Sequence, residues 1–118
     1  MRMTLRVPMP AGEMHITTSH FADRTVVTLT GHLDAATAPA LYQKFTELSR
    51  RGTRRVDVDL AGLDFMDSSG LSILVAEHRR TKNDGGGLVI LSPNRQVIRL
   101  FQLNGLMSYL VVEPRMSV

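Results

Sequence analysis

Two hydrophobic rhythms alternate along the chain. "EMHITT" and "RTVVTLTG", rich in Val and Thr, predict two strands joined by the hairpin-like connection "SHFADR" and closed by Gly31. The period then lengthens. Leu41, Phe45 and Leu48 recur at i, i+4 and i+7, which predicts a helix capped by Thr37, with Pro39 in its first turn and its end near Gly52. In "RRVDVDLAGLDFMD", Val56, Val58 and Leu60 alternate with Asp57 and Asp59, so this strand is expected to bury one face and leave the aspartates wet. Leu71, Leu74, Val75 and His78 return to the helical period in a helix that starts at about Gly70 and stops at "KNDGGG". "LVILSP" reads as a short apolar strand. Ser92 and Pro93 are expected as cap and first-turn residue of a third helix, buried through Val97, Leu100 and Phe101 and stopped by Asn104 and Gly105. A final extended piece, "YLVVEP", follows.

The order β-β-α-β-α-β-α-β predicts an α/β domain with right-handed crossovers and a mixed, mostly parallel β-sheet. Because the Val56–Leu60 strand alternates, the helices are expected mainly on one face. Residues 1–12 read as a flexible N-terminal arm, and 13–118 as the single domain. With 118 residues, 43% hydrophobic and 21% charged, there is material for one core and none for a second.

Charge and cysteine usage narrow the function classes. The absence of cysteine excludes a disulfide framework, a thiolate nucleophile and a cysteine zinc site, and agrees with a cytoplasmic location. Arg2 and Arg6 are followed by Pro8, Pro10, Gly12 and Glu13 before any apolar run forms, so no signal peptide is read, and no stretch is long enough for membrane insertion. The net charge is +3, with basic residues at Arg50, Arg51, Arg54 and Arg55 and at Arg79, Arg80 and Lys82. No aromatic residue lies among them to stack on bases, and cations at helix ends complement the helix dipole; direct nucleic-acid binding is not expected.

The chemistry concentrates in "FMDSSGLSIL", Phe65 to Leu74. One of its two serines suffices to cap a helix. The other is then an exposed hydroxyl at a helix N-terminus beside a glycine, which is a reachable phosphorylation site. Serine hydrolysis lacks support, because "DSSG" is not G-x-S-x-G and no histidine is identifiable as the base. His15, His20, His32 and His78 are scattered without H-E-x-x-H spacing, so neither a metal nor another cofactor is expected. The D-x-D pair Asp57 and Asp59, with Asp64 or Asp67 as acceptor, raises magnesium-dependent phosphotransfer as an alternative. Ala61 stands where that pattern wants Thr or Val, and a solvated strand face accounts for the alternation. "NDGGG" follows a helix instead of preceding one and reads as a turn.

"LTGHLD" at residues 29–34 resembles the L-x-G-E-L-D pattern of STAS domains (sulfate transporter and anti-sigma factor antagonist), and "VDLAGLDFMDSSGLSIL" at 58–74 resembles their strand, loop and phosphoacceptor helix. With "LVILSP" and "VIRLFQLNGL", the resemblance covers residues 13–114 and points to the bacterial anti-sigma factor antagonists. It implies a non-enzymatic, stress-response regulator of transcription that works by partner switching. The unmodified domain would bind an anti-sigma factor serine kinase of the histidine-kinase-like ATPase fold and release the sigma factor. Phosphorylation of Ser68 would switch it off, and a serine phosphatase would reset it. Asp34, Asp67 and His32 would then shape the partner surface, Ser69 would cap the helix, and Gly70 would permit close approach. His32 replaces the pattern's Glu, and the chain is more basic than such antagonists are expected to be. The alternative is a scaffold subunit of a stress-signalling or lipid-transporter assembly, not switched at Ser68.

Overall fold

In the computed structural model, which describes residues 9–114, strands β2 (Thr25–Leu33) and β3 (Arg55–Met66) run parallel through the middle of a five-stranded sheet. β1 (Met14–His20) pairs antiparallel with β2, while β4 (Gly87–Leu91) and β5 (Val111–Glu113) continue parallel beyond β3, in the order β1-β2-β3-β4-β5. Helices α1 (Ala38–Arg50), α2 (Ser68–Asn83) and α3 (Arg95–Leu103) make the crossovers. The mixed, mostly parallel α/β architecture therefore matches the alternation of periods in the sequence.

Register explains why one face becomes the core. Val27 pairs with Val58, and Val56 and Val58 pair with Leu88 and Ile90, so these side chains form a continuous apolar sheet surface. Leu41, Phe45 and Leu48 of α1, Leu71 and Leu74 of α2, and Val97 and Phe101 of α3 pack onto it in one buried cluster. The helices therefore cover one face, as the strand pattern predicts.

The other face corrects one expectation. Asp57 and Asp59 were expected to be wet, yet both are buried, at 8% and 4% exposure. On this face the central strand is flanked by Val26 and Thr28 on one side and by Val89 and Leu91 on the other, which close over the short aspartate side chains. Arg24 Nε pairs with Asp57 Oδ2 at 3.0 Å, and Asp59 Oδ1 accepts the Ala61 N–H at 2.9 Å. A buried carboxylate needs such partners.

The start of α3 is also corrected. Asn94, not Ser92, is its cap: the Asn94 side chain accepts the Val97 N–H at 3.0 Å, and the helix begins at Arg95. Ser92 instead turns the chain with φ of +55°, while its N–H reaches Glu113 O. Of the expected arm, residues 1–8 lie outside the described residues. Residues 9–12 run against the sheet end, with the Met9 N–H donated to Asp64 Oδ2 and the Gly12 N–H to Asp34 Oδ2.

Candidate functional site

The strand ends of β2 and β3 outrun β4, which pairs only with Arg55–Asp59. The last residues of β3 therefore need other partners, and α3 supplies them. Gln96 accepts the Met66 N–H through Oε1 at 2.9 Å and donates Nε2–H to Met66 O at 2.7 Å, while Asn94 Nδ2 donates to Leu63 O and Asp64 O. On the other side, the Asp67 N–H donates to Leu33 O at 3.1 Å. The junction carrying the two serines is thus held from both flanks by hydrogen bonds to its backbone.

Asp67, not Ser69, caps α2. It sits in extended backbone at φ −112° and ψ −173°, and its Oδ1 accepts the Ser69 N–H at 2.8 Å. A carboxylate in this position satisfies a free helix N–H and meets the positive end of the dipole, so neither serine is needed for the cap. The helix starts at Ser68, two residues before the predicted start. Ser68 is exposed, and its hydroxyl makes no hydrogen bond among the described residues; its carbonyl accepts the Ser72 hydroxyl at 2.9 Å.

Gly70 faces inward. A Cβ added there would overlap Leu33 Cγ and lie 2.6 Å from Leu33 Cδ2, so the missing side chain lets α2 settle onto the end of β2. The close approach that Gly70 permits is internal, which corrects its expected place on the exposed partner surface. Ser69 is half-buried beside it.

Asp34 opens the connection from β2 to α1, next to the serine junction. Its Oδ1 accepts the N–H groups of Ala36 and Thr37, and Oδ2 accepts that of Gly12 at 2.9 Å. Burial works to raise its pKa, but these backbone hydrogen bonds and that of the Thr37 hydroxyl outweigh it and hold Asp34 below the ordinary carboxylate value. Thr37 is the N-cap residue of α1, as predicted, but its side chain serves the preceding loop. Its hydroxyl donates to His32 O at 2.7 Å and accepts the Asp34 N–H, with no cap bond to α1.

Gly31, at φ +96° and with no room for a Cβ beside Glu13 O, introduces a register shift just before His32. That shift sets His32 opposite Phe65. Their ring centroids lie 5.7 Å apart, with Phe65 37% exposed. The start of α2 therefore presents a free hydroxyl at Ser68 and a half-buried carboxylate at Asp67, while the ends of β2 and β3 that lead to it carry the His32–Phe65 pair. Phe65, Asn94 and Gln96 escaped the sequence reading. Phe65 was detectable as an apolar residue at an outward position of "LDFMD"; the other two act across about 30 residues and leave no local signal.

Asp57 and Asp59 point to the sheet face without helices, away from Ser68, and among the described residues no group of three or more His, Asp or Glu side chains converges as a metal site. No helix in the described region is long and apolar enough to cross a membrane. A cavity of about 860 Å³ lies at the opposite end of the sheet.

A family model described as "Mlab, STAS domain" matches residues 16–113. The anti-sigma-B factor antagonist of Staphylococcus epidermidis is 32% identical over 93 residues, which cover 79% of this chain and 86% of that protein. An anti-sigma factor antagonist from Mycobacterium paratuberculosis superposes with a TM-score of 0.83 at 24% identity, covering 93% of this chain and 92% of the other. The Bacillus cell fate determinant SpoIIAA in its phosphorylated form gives a TM-score of 0.72 at 21% identity, covering 87% and 93%.

Proposed function

The chain belongs to the STAS domain family, among the bacterial anti-sigma factor antagonists, and from that membership we propose that it is a cytoplasmic partner-switching regulator controlled by phosphorylation of Ser68. In the unmodified state it binds an anti-sigma factor that is itself a serine kinase of the histidine-kinase-like ATPase fold, and so frees a sigma factor. A serine phosphatase restores that state, and the domain performs no catalytic step of its own.

The observation that carries this reading is the division of labour at the start of α2. Asp67 supplies the cap, which leaves the exposed Ser68 hydroxyl uncommitted. Phosphate there adds about −1.5 to −2 charges at neutral pH. The helix N-terminus accommodates that charge, so the fold survives it. A partner seated over Ser68, Asp67 and the His32–Phe65 pair does not, because it would desolvate phosphate and carboxylate together. Two increments of about 1.4 kcal/mol lower affinity about a hundredfold, which suffices for a switch. In this arrangement Asp34 shapes the neighbouring loop, and Ser69 and Gly70 support the surface from beneath.

The test is to map phosphate by tandem mass spectrometry after incubating the purified chain with lysate of its native host and ATP. A single phosphate on Ser68, absent from Ser68→Ala, is the expected result. Phosphate on Ser69 or Ser72, or an unmodified Ser68, would overturn the proposal and leave the scaffold alternative.

A further inference from the structure

One edge of the sheet is open. β1 is the outer strand of the order β1-β2-β3-β4-β5, and no further strand pairs with it among the described residues. Two hydrogen bonds fix which of its backbone groups face outward. The His32 N–H donates to Glu13 O at 2.9 Å and the Phe21 N–H donates to Arg24 O at 2.8 Å, at the two ends of the register that runs from Met14–Gly31 to His20–Thr25. In an antiparallel ladder, bonded and non-bonded pairs alternate. With Glu13 and Phe21 bonded, His15, Thr17 and Ser19 turn their backbone groups to β2. Met14, Ile16, Thr18 and His20 turn theirs outward.

This edge lacks the devices that ordinarily blunt one. Natural edge strands are short or bulged, or carry proline or charge. β1 runs seven residues as "MHITTSH", with no register shift against β2, no proline and no Lys, Arg, Asp or Glu. The opposite edge differs, since β5 has three residues, ends in Glu113 and is followed by Pro114. The side chains of β1 are also incompletely covered. Met14 and Ile16 pack against the core from its margin and remain half-buried.

We infer that β1 is a self-association edge, through which two copies of this chain pair antiparallel about a two-fold axis at Thr17 and join their five-stranded sheets into one. Parity selects this register. With Thr17 on the axis, Ile16 of one copy faces Thr18 of the other and Met14 faces His20, so every outward N–H and C=O meets a partner, in eight hydrogen bonds. A slip of one residue would set outward groups against inward ones, and a slip of two would leave Met14 or His20 unpaired. Charge selects the same occupant. The strand offers no charged anchor to a foreign peptide, and laid against itself it brings no like charges together. A two-fold contact closes on itself, so it yields a dimer and not a fibre. A single seven-residue edge is smaller than a standard interface of roughly 1,600 Å², so the dimer is weak and concentration-dependent. The pairing uses no residue at the start of α2 and does not rest on the Ser68 switch.

The test is sedimentation velocity of the full-length chain in a series up to about 1 mM, a range that populates weak complexes, with the native chain, Thr17→Lys and Thr17→Glu. Thr17 is exposed on the sheet face without helices, so both variants should keep the monomer's amide spectrum outside β1. The native chain is expected to dimerise. Each variant alone should dimerise severalfold more weakly, because like charges then meet at the closest Cα spacing of the ladder. An equimolar mixture of the two should associate at least as tightly as the native chain. Amide exchange supplies the second readout: Ile16, Thr18 and His20 should slow as concentration rises, while Thr17 and Ser19, already bonded to β2, should not. A chain that stays monomeric, a dimer indifferent to both charges, or a mixture that does not recover would overturn the proposal. Outward amides protected equally at every concentration would place another segment of the same chain on the edge, and would overturn it too.

Discussion

The side-chain amide of Gln96 makes both backbone hydrogen bonds of Met66, standing in for the strand that β3 lacks beyond Asp59. Its position sets that of Ser68, because Met66 is followed by the cap Asp67 and then by Ser68. Gln96 is exposed, so water can replace it, and Gln96→Ala should cost only about 1 kcal/mol in urea unfolding. Its local effect should be larger. Amide hydrogen exchange at Met66 and Asp67 should accelerate more than the global change explains; parallel slowing or no change at these two amides would contradict the bridging role.

The cap assignment separates two adjacent residues. Asp67→Ala should lose about 1 kcal/mol of stability, while Asp67→Asn, which keeps a capping oxygen, and Ser69→Ala should each lose less than about half of that. Thermal or urea unfolding of the three variants decides it. A larger loss in Ser69→Ala than in Asp67→Ala would return the cap to the serine.

Gly70→Ala sets two effects against each other. Alanine raises helix propensity by about 1 kcal/mol over glycine, but here its Cβ meets Leu33 within a fully buried contact, and overpacking costs about 1–3 kcal/mol. Net destabilisation is expected in the native background. In a Leu33→Ala background the side-chain overlap disappears and only the Leu33 O contact at 3.2 Å is left, so the same substitution should cost clearly less. A double-mutant cycle with coupling below about 0.5 kcal/mol would show that the two residues act independently.

Asp34 gives a pH signature. Its folded pKa lies below the unfolded value of 3.8, so its ionisation contributes stability that is fully present above that value and is lost as pH falls through the folded pKa. Asp34→Asn should therefore be less stable than the native chain at pH 7. The gap should close on acidification below about pH 4, as the native carboxylate is protonated. A gap that stays constant from neutral to strongly acidic pH would mean that the carboxylate charge contributes nothing.

Periodicity carried the order of elements, the helical core positions Leu41, Phe45, Leu48, Leu71, Leu74, Val97 and Phe101, and the covering of one sheet face. It could not tell that Asp57 and Asp59 are buried, because alternation assigns side chains to faces and says nothing of what neighbouring strands place beside them. Both misplaced caps have one cause. Local sequence offers several capping residues within a few positions, "DSS" and "SPN", and the choice depends on where the preceding strand releases the chain. Gly70 resembled an approach site because its actual neighbour, Leu33, lies 37 positions earlier.

The most direct measurement of the partner switch is capture from lysate of the native host with the native chain, Ser68→Ala and Ser68→Asp as parallel baits, read by mass spectrometry. An ATPase-fold serine kinase retained by the first two baits and lost from Ser68→Asp is the expected outcome. The same partners on all three baits would contradict it and make Ser68 only the first residue of a helix.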